Sequence, residues 1–271
     1  MASSPPSLKK LKKNTDTTIA GTEGNSILKT DRLSKLPSEI VREIISRLEV
    51  KEAIKTSVLS KKYHFLWREI TRIRIFQDNF VRYNTLVGLL VAPKISEFQM
   101  TFELQRPTLV MPQEDFTLNK WVGLLNSKHV EHLCVIKTHD GSLRMSSFPH
   151  STYRIATLVS LTLAWPTKMT LPKDIYLPSL KTLKHVIEQY RKWGKLSTLI
   201  KSCPRLEDLI LKVFVSKDTK HEVWKLGCCN QHLKTMHMSG SVDNVSSRKK
   251  IILTLEVPSL ERIVIHLNRK R

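Results

Sequence analysis

The fold is decided by a short pattern that the chain repeats, most clearly as LVSLTLA (158–164) and LEDLILK (206–212). The same pattern occurs in VEHLCVI (130–136), LKTLKHV (180–186), LKTMHMS (233–239) and LERIVIH (260–266). All six stretches fit an L-x-x-L-x-L frame, in which alternate side chains of a strand enter a core and those between them face outward. Looser alternations of the same kind come earlier, in ITRIRIF (70–76) and ISEFQMTF (95–102).

The spacing of these stretches is that of a repeat protein. Their central residues, spaced by 28, 22, 26, 27 and 27 positions, are Leu133, Leu161, Leu183, Leu209, Met236 and Ile263. Leucine-rich repeats have periods of about 20–29 residues. One repeat cannot bury its apolar face alone, so neighbouring repeats must stack into a continuous core. The sequence therefore predicts an α/β solenoid with a curved parallel sheet.

The segments between the strands are expected to return along the other side of the sheet as short helices or irregular loops. In KLSTLIKSCPRLEDL (195–209), the residues Leu196, Leu199 and Ile200 favour a helix. The Cys-Pro pair that follows should end it, because proline cannot continue a helix. His185 occupies a position where the frame requires an apolar residue, so we expect an irregular repeat there.

The amino-terminal part has a different composition and a different apolar pattern. Residues 1–30 are rich in Ser, Thr, Pro and Lys without an apolar period, which predicts a disordered basic leader. LPSEIVREIISRLEV (36–50) then places its apolar residues on one helical face, and Ser38 is a good cap for that helix. Further short helices are expected over 51–57 and 60–70. Such a small unit cannot bury all its apolar residues, which indicates either a partner surface or packing on the rest of the chain.

Composition excludes several classes of protein. There are only eight glycines and no Gly-x-Gly, which excludes the Rossmann fingerprint and the P-loop. Apolar stretches are far shorter than the ~20 residues needed to span a bilayer, and the amino terminus lacks the apolar core of a secretory signal. We therefore expect no membrane partner and a location in the nucleus, the cytoplasm or both. The four cysteines would then be reduced thiols.

The sequence contains no recognisable arrangement for catalysis. The pair His221-Glu222 is not followed by the second histidine of a zinc-protease helix, and no Gly-x-Ser-x-Gly nucleophile motif occurs. Metal-ligand types are concentrated in one stretch, at Cys228, Cys229, His232 and His237. Adjacent cysteines are poorly placed to hold one tetrahedral ion. We expect no catalytic residue, no metal site and no cofactor.

Motifs in the first helices point to a known family. In order, they are Leu33-Ser34-x-Leu36-Pro37, Ile44-Ile45-x-x-Leu48, Lys51-Glu52-Ala53, Thr56-Ser57-Val58-Leu59-Ser60-Lys61 and Leu66-Trp67. Later repeats carry Cys203-Pro204-x-Leu206-Glu207-x-Leu209 and Val257-Pro258-x-Leu260-Glu261. On these residues the chain resembles plant-type F-box/leucine-rich-repeat proteins (the F-box/RNI-like family) over residues 31–267.

The resemblance implies a substrate-receptor subunit of an SCF (Skp–cullin–F-box) ubiquitin ligase, which is not itself an enzyme. In that family the F-box docks on the Skp adaptor, which connects it to the cullin, and the repeats bind the protein to be ubiquitinated. Contact roles with the adaptor are then carried over to Leu36, Pro37, Ile40, Ile44, Leu48, Val58, Leu59 and Trp67. Some of these must instead hold the helices together, and the sequence does not separate the two groups.

The predicted domains are a leader at 1–30, an F-box at 31–72 and a repeat domain at 73–271. Longer members of the family continue past their repeats into a further carboxy-terminal domain, whereas the last predicted repeat here lies close to Arg271. We therefore expect either that a short repeat array is sufficient or that the array is poorly capped.

The formal net charge of +21 is spread along the chain, with +3 in residues 1–30, +5 in 31–75 and +13 in 76–271. Two alternatives to a ligase subunit are a basic repeat protein that binds nucleic acid and an F-box scaffold outside a ligase. Aromatic residues make up only 7%, and no basic–aromatic platform is visible, which disfavours nucleic acid. The excess positive charge favours an acidic partner surface.

Outward positions of the predicted strands are the candidates for binding the unknown protein substrate. The basic candidates are Lys184, Lys212, Lys234, His237, Arg262 and His266. Glu207, Asp208 and Glu261 are interspersed among them, so the predicted binding face is mixed in charge.

Overall fold

The computed structural model describes residues 35–77, 88–103, 112–138, 148–168, 171–188, 193–215, 222–227, 230–243 and 251–270. The predicted leader at 1–30 lies outside these residues. From Leu36 onward the described residues belong to one compact unit. A single apolar core runs from the first helices through the sheet. The domain boundaries drawn at residues 30–31 and 72–73 stay predictions.

Short helices open the described part of the chain, close to where the sequence places them. Helix α1 spans Ser38–Ile45 and α2 spans Val50–Lys55, followed by 3-10 turns at Thr56–Val58, Lys61–Tyr63 and Leu66–Glu69. The region predicted as one helix over 60–70 is therefore two separate turns. The Ser60 hydroxyl accepts a hydrogen bond from the Lys62 backbone N–H at 3.2 Å, and this cap begins a new turn there.

The start of α1 differs from the prediction by one residue. Pro37 occupies the N-cap position, and Ser38 is the first helical residue, with no side-chain cap hydrogen bond. The proline ring fixes φ, here at −56°, while its ψ of 148° is not helical. Because this ψ is extended, the helix begins at Ser38.

All eight alternating stretches become strands of one parallel sheet, which confirms the predicted solenoid-like α/β architecture. The strands are β1 Arg72–Gln77, β2 Glu97–Glu103, β3 His132–Thr138, β4 Ser160–Lys168, β5 Thr182–Glu188, β6 Asp208–Val215, β8 Thr235–Asp243 and β10 Arg262–Lys270. They lie in this order across the sheet. Each repeat thus adds one strand beside the previous one, as a stacked repeat array requires.

The repeat frame is visible in the strand register. The central positions lie directly opposite one another, from Ile73 through Phe98, Leu133, Leu161, Leu183, Leu209 and Met236 to Ile263. We call these eight residues the central row. Ile263 is 42% exposed, whereas every other member is at most 1% exposed. The row is therefore the spine of the core, and it is open at the β10 end.

Helices cover the core side of the sheet. The predicted helix is confirmed as α4, Trp193–Lys201, and its Leu196, Leu199 and Ile200 are fully buried. Helix α3, Pro112–Ser127, was not predicted. Its Trp121 is 2% exposed and packs edge-on against Phe98, with 5.8 Å between ring centroids. This contact anchors α3 to the central row.

The repeat that carries His185 is regular at that residue. His185 lies opposite Leu163 and Leu211 and is buried in the core. A shift in the pairing of β4 with β5 follows, between Ala164 and Lys168. The expected irregularity is therefore at the carboxyl end of this strand pair rather than around Leu183.

A second, smaller sheet pairs β7, Glu222–Gly227, in parallel with β9, Ile251–Glu256. Along the chain, β7 lies between β6 and β8, and β9 lies between β8 and β10. The strands of this smaller sheet do not follow the spacing of the central row, and the sheet was not predicted from the sequence.

Asn230 connects neighbouring repeats through its hydrogen bonds. Its Nδ2 donates to the Cys203 carbonyl at 2.9 Å, and its Oδ1 accepts from the His232 backbone N–H at 2.8 Å. Its own carbonyl accepts from the Ser259 hydroxyl at 3.0 Å. Because Asn230 is only 6% exposed, water cannot easily replace these side-chain bonds.

Asn230→Ala is therefore expected to lower the free energy of unfolding by about 1–3 kcal/mol, because buried groups are left without partners. Urea denaturation would measure this loss. The exposed neighbour Gln231 provides the control, since Gln231→Ala should change stability by less than about 0.5 kcal/mol. Equal effects of the two substitutions would contradict a structural role for the Asn230 side chain.

Candidate functional site

Helix α1 is apolar on two sides, only one of which reaches the core. Val41 and Ile45 are buried, at 5% and 3% exposed, whereas Ile40 and Ile44 are 49% and 45% exposed. Ile40 and Ile44 are four residues apart and therefore lie on the same side of the helix. The sequence places all four on one broad apolar face. The structure divides that face into a packed half and a half open to solvent.

A second group of exposed apolar side chains follows α2. Val58, Leu59 and Phe65 are 86%, 66% and 61% exposed. Val58 and Phe65 line a shallow open depression together with Ser57, Ser60, Lys61 and His64. The Phe65 ring packs edge-on against His64, with 4.4 Å between ring centroids, and the Arg68 guanidinium lies 5.9 Å from its centre. Phe65 is thus held in place without being covered.

Polar contacts hold these groups in one unit. The Lys62 ammonium donates to the Leu36 carbonyl, which ties the entry of α1 to the turn at Lys61–Tyr63. Arg42 of α1 forms an ion pair with Glu69 at 3.0 Å. We call the exposed apolar set the docking surface; its residues are Ile40, Ile44, Val58, Leu59 and Phe65.

The residues to which adaptor contacts were assigned differ in their exposure to solvent. The exposed ones are Pro37, Ile40, Ile44, Val58 and Leu59, while Leu36 and Leu48 are partly buried against the core. Trp67 is only 8% exposed and belongs to the core, where it holds the helices together. Phe65 was not assigned an adaptor contact, because its residue type does not distinguish it from its buried apolar neighbours. It is exposed to solvent because it lies between the 3-10 turns at Lys61–Tyr63 and Leu66–Glu69.

Outward side chains of the main sheet form three rows in register. The first row runs Arg72, Glu97, His132, Ser160, Thr182, Asp208, Thr235 and Arg262. The second runs Arg74, Gln99, Cys134, Thr162, Lys184, Ile210, His237 and Val264. The third runs Phe76, Thr101, Ile136, Ala164, Val186, Lys212, Ser239 and His266. We call this surface the outer face.

The predicted substrate-binding residues meet at one end of the outer face. Lys184 and His237 lie in the second row, Lys212 and His266 in the third, and Arg262 in the first. The rings of His237 and His266 are in contact, with 5.8 Å between centroids. The structure therefore brings these five residues together on β5, β6, β8 and β10.

Lys234 is different, because it precedes β8 and is engaged in an ion-pair network. The Glu207 carboxylate lies 3.3 Å from the Lys181 ammonium and 3.4 Å from that of Lys234. Hydrogen bonds from Lys181 and then Lys234 lower the pKa of Glu207 below its usual range. Since Lys234 already neutralises a carboxylate of its own chain, it is a weaker candidate for a partner contact.

The structure also shows the surroundings of two cysteines and of the other side chains that could bind a metal ion. Cys203 is buried, and Cys134 is partly buried in the second row; burial raises the pKa of both thiols. Cys228 and Cys229 lie outside the described residues. Within the described ranges, no cluster of His, Cys, Asp and Glu side chains is arranged to hold a metal ion. No helix in the same ranges is long and apolar enough to cross a membrane.

Comparison with known proteins assigns both regions. Residues 33–73 match the F-box domain model, and residues 118–271 match the model described as FBD-associated F-box protein At5g56370, LRR repeats. The docking surface lies within the first match, and most of the outer face lies within the second.

Individual relatives are similar over most of this chain. FBD-associated F-box protein At4g10400 of Arabidopsis thaliana is 31% identical over 68% of this chain and 45% of its own length. F-box/LRR-repeat protein 13 of the same plant is 28% identical over 85% of this chain and 51% of its own. F-box protein At4g09920 is 31% identical over 67% and 58%. The chain thus spans about half the length of the curated relatives it matches.

Proposed function

The chain belongs to the plant F-box/leucine-rich-repeat family, and on that basis we propose that it is the substrate-receptor subunit of an SCF ubiquitin ligase. The docking surface would bind a Skp-type adaptor, which carries the cullin. The outer face would bind the protein to be ubiquitinated. Family members are typically non-catalytic adaptors, and we propose the same for this chain, acting in the nucleus or the cytoplasm.

One observation carries the adaptor part of the proposal. Five large apolar side chains within the F-box match are 45% to 86% exposed, while their neighbours Val41, Ile45 and Trp67 are at most 8% exposed. Such a concentration of exposed large apolar side chains within one short segment favours a protein interaction site. The buried neighbours support it as a rigid frame, so little conformational entropy would be lost on binding.

The receptor role requires two binding surfaces and no reacting group. The adaptor side is apolar, whereas the outer face is mixed in polarity and lies on eight adjacent strands. Concentrating the two kinds of contact on different elements would allow one chain to hold the adaptor and a substrate at the same time.

The sharpest test places a charge in the docking surface. Ile44→Asp and Leu59→Asp are each expected to weaken binding to a purified Skp-type adaptor by about 30-fold, equivalent to ~2 kcal/mol, because central apolar contacts dominate interface energy. Isothermal titration calorimetry with the full chain measures the affinity. Both residues are exposed in the free protein, so the thermal unfolding temperature should stay close to that of the parent protein.

Tyr176→Asp is the matched control, since Tyr176 is 61% exposed and lies in the connection between β4 and β5, outside the F-box match. Its adaptor affinity should be unchanged. Unaltered affinity in both Ile44→Asp and Leu59→Asp would reject the docking surface. Adaptor binding without recruitment of cullin would instead indicate a scaffold outside a ligase.

A further inference from the structure

Arg68 connects two segments that each expose apolar side chains. Its guanidinium lies 5.9 Å from the centre of the Phe65 ring, and its Nε donates to the Leu89 carbonyl at 2.8 Å. Phe65 is 61% exposed, and Leu89 is 41% exposed. One residue of the docking surface therefore has an apolar neighbour beyond the F-box match, which ends at residue 73.

The segment that contains Leu89 alternates between the core and solvent. Leu90 and Ala92 are buried, whereas Leu89 and Val91 are 41% and 52% exposed. The Arg68 carbonyl accepts hydrogen bonds from the backbone N–H groups of Val91 and Ala92, at 2.8 and 3.3 Å. Buried side chains and backbone hydrogen bonds thus hold this segment in place, and its two exposed aliphatic side chains are carried on a fixed support.

The Arg68 guanidinium still has donors available. Its Nε is engaged with the Leu89 carbonyl, while its two Nη groups form neither a hydrogen bond nor an ion pair with any residue that the structure describes. The nearby Glu69 carboxylate is already paired with Arg42 at 3.0 Å. Two Nη groups of one guanidinium can bind both oxygens of a carboxylate. Arg68 is therefore suited to a bidentate contact with an acidic side chain.

A partner that covers Arg68 needs to supply that acidic group. Arg68 is partly buried already, and removing its remaining water without providing a counter-charge is costly. Residues 31–75 carry eleven basic and six acidic residues, so this part of the chain has an excess of positive charge. The charge complementary to Arg68 is therefore expected on the partner.

We call Phe65, Arg68, Leu89 and Val91 the Arg68 site. We propose that the Skp-type adaptor covers the Arg68 site, with a carboxylate on Arg68 and apolar side chains against Leu89 and Val91. The adaptor contact would then extend past the F-box match, into residues that neither family model includes. This inference rests on the proposed function, because it enlarges the surface to which that function assigns the adaptor.

Continuity with the docking surface favours the adaptor over the protein to be ubiquitinated. Phe65 belongs to both the docking surface and the Arg68 site, and the contacts of Arg68 connect it to Leu89. An arginine beside an aromatic ring, with apolar side chains around it, has the composition of a binding hot spot. An adaptor seated on Phe65 would thus have a second apolar contact and one charged contact close by.

Arg68→Gln tests the charged contact. In isothermal titration calorimetry of the full chain with a purified Skp-type adaptor, we expect this variant to bind about 10-fold more weakly at low salt. Raising the salt concentration should weaken binding of the parent protein more than that of the variant, because salt screens a charge pair that only the parent forms. The matched control is Arg205→Gln, which removes an exposed charge in the repeat region. Its adaptor affinity should change by less than about 2-fold.

Leu89→Ser/Val91→Ser tests the apolar contact. This double variant is also expected to weaken adaptor binding about 10-fold. The matched control is Ile263→Ser/Ile265→Ser, because these aliphatic residues are similarly exposed, at 42% and 44%, but lie on β10 at the other end of the sheet. Its affinity should change by less than about 2-fold. Thermal unfolding followed by circular dichroism checks that each variant is folded.

Several results would overturn the proposal. They are unchanged affinity in either Arg68→Gln or Leu89→Ser/Val91→Ser, equal losses in a variant and its control, and equal salt dependence of the parent protein and Arg68→Gln. Sedimentation velocity tests a second copy of the chain as the occupant. A dimer of the parent protein that dissociates in Leu89→Ser/Val91→Ser, with unchanged adaptor affinity, would assign these residues to self-association instead.

The docking-surface variants separate this inference from the proposed function. If Ile44→Asp and Leu59→Asp weaken adaptor binding while the variants of the Arg68 site do not, only the extension to the Arg68 site is rejected. Unchanged affinity in the docking-surface variants as well would reject the proposed adaptor contact itself.

Discussion

Leu209→Ala is expected to lower the free energy of unfolding by about 3–4 kcal/mol, which is among the larger costs of a single truncation in a core. Leu209 is fully buried in the central row, between Leu183 on β5 and Met236 on β8. Strands on both sides hold these neighbours in register. The cavity left by the substitution therefore cannot collapse, and its cost adds to the lost burial of the side chain.

Ile263→Ala is the matched control because it occupies the same position one repeat unit beyond Met236. Ile263 is 42% exposed, so its truncation should cost about 1 kcal/mol or less. Urea denaturation of the full chain measures both losses. A cost for Ile263→Ala as large as that for Leu209→Ala would show that the β10 end of the core is covered in solution.

The contrast between Leu209 and Ile263 shows what the repeat pattern can predict. The frame identifies every residue of the central row from Leu133 to Ile263 and its register, because the alternation and the period both follow from stacking identical units. It does not show how exposed Ile263 is. That property depends on whether another layer lies beyond β10, which the pattern within one repeat cannot reveal.

The elements that the sequence did not predict have a related explanation. Helix α3 carries buried Leu118, Trp121 and Leu125 at helical spacing, but its amphipathic pattern is weak beside the strong strand frames. The β7–β9 sheet lies in the long connections between strands of the main sheet. Its two strands fall between strands of the main sheet and do not follow the spacing of the central row, so the period did not indicate them.

Four of the five docking-surface residues, all except Phe65, were assigned adaptor contacts from the sequence, but they were not separated there from residues of the core. Ile40 and Ile44 have the same chemistry as Val41 and Ile45, and only the packing of α1 decides which pair is buried. The same holds for Trp67 and Phe65. Residue type therefore predicts that these helices contain both core and surface apolar groups, while the three-dimensional arrangement separates them.

We expect His185 to make the free energy of unfolding depend on pH. Its Nδ1 lies 3.1 Å from the Val186 carbonyl, to which it can donate, and its Nε2 lies 3.3 Å from the Tyr153 hydroxyl. The neutral ring satisfies both contacts, accepting at Nε2 the hydrogen bond that Tyr153 donates. Burial lowers the pKa of His185 to about 4, although the Val186 carbonyl acts in the opposite direction.

The sign of the effect follows from comparing the folded and unfolded proteins. An exposed histidine has a pKa of about 6.5, so between about pH 6.5 and 4 the unfolded chain binds a proton that the folded protein does not. The stabilisation is fully present above about pH 6.5 and is lost as the pH falls towards 4. Linkage gives a maximum loss of about 3 kcal/mol.

His185→Leu combined with Tyr153→Phe should remove this part of the pH dependence. The double variant restores the apolar residue that the L-x-x-L-x-L frame requires, and it avoids leaving a buried hydroxyl without a partner. Urea denaturation of both proteins at intervals from pH 7.5 to 4 measures the free energy of unfolding. We expect the parent protein to lose about 3 kcal/mol more than the double variant over this range. Parallel curves would mean that His185 is protonated in the folded protein, with the Tyr153 hydroxyl turned to accept from it.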